Sequence, residues 1–74
     1  MEINAGAWYL RGVRADVGYL WDVCEPVTGE AVAQVSLDPD SARISARGAN
    51  TEAIAVAEQA VRRFAVAALG IRPA

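Results

Sequence analysis

Between residues 18 and 38 hydrophobic and polar residues alternate with a period of two. Tyr19, Trp21 and Val23 fall on one side of a strand, and Leu20, Asp22 and Cys24 on the other. After "EPVTGE", Ala31, Ala33, Val35 and Leu37 oppose Val32, Gln34 and Ser36. Two alternating runs separated by a Pro/Thr/Gly cluster predict a β-hairpin. Upstream, "WYLRGVRA" at 8–15 is rich in aromatic and branched residues, and its alternation breaks at Gly12, which predicts an earlier strand bulged at the glycine. Downstream, "DPDS" at 38–41 has the composition of a turn. "ARISA" at 42–46 follows as a short strand, with Ile44 on one side and Arg43 and Ser45 on the other.

From residue 51 the period becomes helical. Ile54, Ala57, Val61, Phe64, Ala65 and Ala68 share one stripe, and Glu58, Gln59, Arg62 and Arg63 group opposite it. Asn50 or Thr51 suits the N-cap, Glu52 complements the positive end of the helix, and Gly70 suits the C-terminal cap. The expected fold is α+β: a three- to four-stranded antiparallel meander with one C-terminal amphipathic helix packed on one face. One helix covers one face only. Apolar residues occur on both sides of the hairpin strands, and Val56 and Val66 lie at the margin of the helical stripe. A homodimer or a protein partner is therefore expected on the open sheet face.

Size and charge narrow the picture. With 74 residues the chain is a single small domain, 1–74, whose core is marginal for its surface. The formal net charge is −2 and the cations are all Arg, so no broad positive field favours nucleic acid. There is no His and one cysteine, Cys24, which leaves no internal disulfide and no metal-ligand set. No window approaches the ~18 apolar residues of a membrane span, and the N-terminus lacks the basic start of a signal peptide. A cytoplasmic location, with no membrane and no metal, is expected.

The order of these segments resembles the GCN5-related N-acetyltransferases. "WYLRGVRADV" looks like their opening strand, "YLWDVCEPVTGEAVAQVSLD" like their central hairpin, and "ARISARGANTEAIAVAEQAVRRFAVAALGIR" like the strand-turn-helix that carries acetyl-CoA. The resemblance implies that Arg47, Gly48, Ala49, Asn50 and Thr51 hold the cofactor pyrophosphate and that an active protein would acetylate an amine; the catalytic residue is unassigned. Backbone N–H groups at a helix N-terminus supply the physics of such a site. The chain departs from the family in lacking the later glycine of the turn, in having about half the usual length, and in joining the first two strands directly through "ADVGY".

Each candidate also has a plain structural account. Arg47-Gly48 is either a phosphate cradle or an ordinary connector between strand and helix. The module carrying it is either an acetyltransferase-like domain or a non-catalytic homodimerising or protein-interaction module. Trp8, Tyr9, Tyr19 and Trp21 are expected in the core or an interface rather than on a ligand platform. Cys24 has no base to activate it and is expected to be a buried small hydrophobe. Asp38 and Asp40 are expected to shape their turn.

Overall fold

The alternating segments form one sheet, in which five strands lie in sequence order and each pairs antiparallel with the next. They are β1 (Glu2–Ala5), β2 (Trp8–Val13), β3 (Tyr19–Cys24), β4 (Ala31–Asp38) and β5 (Arg43–Gly48). Helix α1 (Thr51–Phe64) follows and ends in a π-helical turn, Ala65–Leu69. These elements come from a computed structural model that describes residues 2–73. The arrangement is the predicted meander plus helix, with one strand more than the three or four expected. The additional strand is β1, "EINA", four residues with Ile3 as the sole large apolar side chain. It is held by pairing Ile3 with Leu10 and Ala5 with Trp8 across the turn at Gly6.

The bulge expected at Gly12 lies elsewhere. Gly12 pairs in regular register with Trp21, while the register shifts between Val23 and Cys24 because Val23 faces Ala33 and Cys24 faces Ala31. Val32 is thus the extra residue on β4. Gly12 thus sits opposite Trp21 without bending the strand.

The core lies between α1 and one sheet face. Leu10, Trp21, Val23, Ala33, Val35 and Leu37 are buried from the sheet, and Ala53, Ala57, Ala60, Val61 and Ala65 from the helix side. Four of those five are alanines, so the helix backbone can approach the strands closely. Ile54 and Phe64 flank this stripe, and Val56 is partly buried against it. Ala68, expected on the stripe, is exposed, because the helix widens to π geometry over Ala65–Leu69 and the regular 3.6-residue stripe does not continue past the buried Ala65. Trp21 is almost fully buried and ties the layers together. Its ring stacks on Tyr19 at 5.8 Å and meets Phe64 edge-on at 5.4 Å, and Phe64 also meets Tyr19 edge-on at 5.7 Å.

The helix ends follow the sequence signals. Asn50 is the N-cap, its carboxamide oxygen accepting from the Ala53 N–H at 3.0 Å. Gly70 takes the left-handed conformation at φ 68°, and the Ile71 N–H donates to the Ala65 carbonyl at 3.0 Å, closing the helix. The β3–β4 loop is organised by Glu25, whose two carboxylate oxygens accept from the N–H groups of Val27 and Thr28, each at 3.0 Å. Those backbone donors favour the charged form and lower the pKa of Glu25 below its ordinary value.

Gly48, at φ 149°, sits so close to β4 that an added β-carbon would lie 2.7 Å from the Ala33 β-carbon and 2.8 Å from the Val32 carbonyl oxygen. Gly48→Ala should cost about 1–3 kcal/mol, from overpacking combined with an unfavourable φ, measured by urea unfolding. Because the folded-state pKa of Glu25 is lowered, its stabilising contribution is present at neutral pH and is lost as the pH falls through the carboxylate range. The Glu25 carboxyl should titrate below an ordinary glutamate by NMR, and Glu25→Gln should abolish the acid-dependent loosening of the Val27 and Thr28 amides.

Candidate functional site

The sheet face turned away from α1 carries a row of four polar side chains, one from each of β2 to β5. Strand register sets Arg11 opposite Asp22, Asp22 opposite Gln34, and Gln34 opposite Arg47. The side chains bond in that order. Arg11 Nη2 donates to Asp22 Oδ2 at 3.3 Å, Gln34 Nε2 to Asp22 Oδ1 at 3.0 Å, and Arg47 Nη2 to Gln34 Oε1 at 2.8 Å. The carboxylate thus accepts from both sides, and the amide relays between it and the second guanidinium. The Asp22 hydrogen bond raises the Arg11 pKa further above its ordinary value.

Two shallow grooves flank the Gln34–Arg47 bridge. One, of about 220 Å³, runs along Leu20, Ser36 and Ser45, which are opposite one another across β3, β4 and β5. Its hydroxyls form no strong network, since Ser36 Oγ donates to the Ser45 carbonyl at a long 3.5 Å. The other, of about 380 Å³, is bordered by Asp22, Val32 and Gly48. Toward β2, Cys24 is fully buried on this face, outside the helix-side core. It pairs with Tyr9, whose phenol has its pKa raised first by burial and then by the Cys24 thiol. The Cys24 Sγ donates to the Asp22 carbonyl at 3.6 Å. Cys24 is therefore the buried small side chain expected, and Asp38 the expected turn former, accepting from the Asp40 N–H at 2.9 Å. Of the four aromatic residues, Trp21 joins the core, Trp8 and Tyr19 pack against it, and Tyr9 belongs to the open face.

The five residues of the strand-to-helix turn are divided between two places. Arg47 and Gly48 belong to β5, with the Arg47 guanidinium bonded to Gln34 on the open face and Gly48 packed on Ala33. Ala49, Asn50 and Thr51 line a separate cleft of about 520 Å³ with Glu30, Ala31 and Val32. The Asn50 side chain already satisfies the Ala53 N–H, and the Asn50 backbone carbonyl accepts from the Ile54 N–H at 3.1 Å. Glu52 puts a carboxylate in the first turn of α1, where it competes with an incoming anion for the positive helix end.

The sequence pattern alone assigned no role to Arg11, Asp22 or Gln34. The hairpin alone does not bring the middle pair together: closing it about its loop with Cys24 opposite Ala31 would set Asp22 against Ala33, and the extra residue Val32 on β4 shifts Gln34 into place. Arg11 and Arg47 join the row through pairings that the hairpin does not determine.

Replacing Asp22 tests the row. The Arg11 side chain is 49% exposed and that of Asp22 is 16% exposed, so the ion pair contributes less than the hydrogen bond to the partly buried Gln34. Asp22→Ala should destabilise the fold by about 1 kcal/mol in urea unfolding and shift the Gln34 side-chain amide resonances, with the helix-side core unaffected.

No protein-family model, curated protein or solved structure matches this chain.

Proposed function

We propose that the protein is a non-catalytic interaction module of the cytoplasm, docking a protein partner, either a second copy or another chain, through its open sheet face. The observation that carries this reading is the Arg11–Asp22–Gln34–Arg47 row. It spans four strands and leaves further guanidinium N–H groups at both ends for a partner. Partly buried Val13 and Leu20 border it, giving the mixture of apolar contact and directional polar groups that protein interfaces use. The grooves are shallow, which suits contact with a surface better than enclosure of a small substrate.

A second reading keeps acetyl-CoA as ligand, with amine acetylation as the activity. It is favoured by the cleft against Ala49, Asn50 and Thr51 at the N-terminus of α1. Against it stand the occupied cap, the Glu52 carboxylate and the commitment of Arg47 to the opposite face of the sheet.

Position-specific crosslinking separates the two. A photoreactive benzoylphenylalanine at Leu20, on the open face, should give an adduct of discrete mass in cells, and the same group at Gln59, on the outer face of α1, should not. Adducts from both positions, or from neither, would sink the interface reading. Acetyl-CoA and CoA titrated to millimolar concentration should leave the backbone amides of 47–51 unshifted; shifts centred on Ala49 to Thr51 would establish the cofactor reading instead.

A further inference from the structure

The sheet has two edges, and they differ. β1 is four residues long and adjoins the chain start, whereas β5 presents six consecutive residues, Arg43 to Gly48, paired on one side only with β4. An edge strand without proline or bulge offers a row of backbone N–H and C=O groups to another strand. Two copies of β5 can meet antiparallel about a two-fold axis, and the side chains decide the register. A pairing that keeps apolar residues on the helix side must be centred on a single residue. Centring on Ser45 sets Arg43 against Arg47 of the second copy. Centring on Arg47 sets the two Arg47 side chains against each other. Centring on Ile44 leaves only residues 43–45 paired. Centring on Ala46 pairs residues 44–48 with no like charges opposed: Ile44 faces Gly48, Ala46 faces Ala46, and Ser45 faces Arg47 of the second copy.

We propose that β5 is a homodimer seam, joined antiparallel in the register centred on Ala46, and that it completes the Leu20–Ser36–Ser45 groove with Arg47 of the second copy. In this register the polar row of one copy runs directly into the serine row of the other: Arg11, Asp22, Gln34 and Arg47, then Ser45, Ser36 and Leu20 across the seam. The groove on each copy is open at β5 and acquires a guanidinium at that end. The two-fold axis repeats this on the other copy, so the contact is isologous and closes at two chains. The seam is independent of the open-face reading, and only the role of the completed groove rests on it.

Sedimentation across a concentration series tests the seam. The wild-type chain should reach twice its 7.8 kDa mass. Ser45→Arg, which opposes Arg47 twice, should raise the dimer Kd by about fivefold or more, and Ser45→Glu should lower it. The double exchange Ser45→Arg with Arg47→Ser should restore dimerisation, a rescue that general destabilisation cannot produce. A monomer at millimolar concentration, an unchanged Kd in Ser45→Arg, failure of the double exchange, or growth beyond dimers as in β1-to-β5 pairing would each overturn the proposal. Because Ser45→Arg breaks the seam without altering Leu20, a Leu20 crosslink that persists in that variant reports the open face separately, so loss of the seam and loss of the interaction-module reading give different results.

Discussion

A single helix must seal one whole face of a five-stranded sheet, and the closeness of that contact governs the rest of the molecule. Alanines at 53, 57, 60 and 65 let α1 lie near the strands, where bulkier side chains would hold it off. The bulk is supplied from the sheet side, chiefly by Trp21, which fills the space beside Phe64 and Tyr19. Small residues on the helix and a large one on the sheet are complementary parts of one packing solution, and volume changes on either side are felt by both. Gly48 against Ala33 extends the same economy of space into the strands.

That division of labour leaves the second face without a helix. A chain of this size has little surplus stability, so a large exposed apolar face would invite aggregation. The sheet instead carries a polar row at its centre and partly buried aliphatic residues beside it. Such a face meets water through its polar row and keeps aliphatic surface beside it, which is the physical basis of the docking proposal.

Much of this was legible in the sequence because it rests on local rules. The hairpin followed from period-two alternation about "EPVTGE", α1 from its apolar stripe, and its limits from Asn50 and Gly70. β1 was not legible, since four residues with one large apolar side chain carry no periodic signal and depend on pairing with β2. The exposure of Ala68 was hidden for a similar reason: the change to π-helical geometry arises where the helix ends. At the candidate site, the expected turn at 47–51 read as one unit because its residues are consecutive. In the fold, strand geometry sends Arg47 to the open face, while Asn50 is turned to capping. Arg11, Asp22, Gln34 and Arg47 are dispersed along the chain, and only the register of four strands assembles them.

The row also explains how so small a sheet settles on one register. Slipping β3 or β4 by one residue would turn Asp22 or Gln34 beneath α1, where neither could keep its partners, and would bring Trp21 or Val35 into water. The desolvation cost of a buried carboxylate exceeds what the surface row contributes when correctly paired. The polar residues therefore act less by stabilising the correct fold than by penalising the shifted ones. The same logic reaches the β5 edge, where Arg43 and Arg47 penalise two of the otherwise available pairings. Charges placed on one face of the sheet thus constrain both how the chain pairs with itself and how it can pair with another.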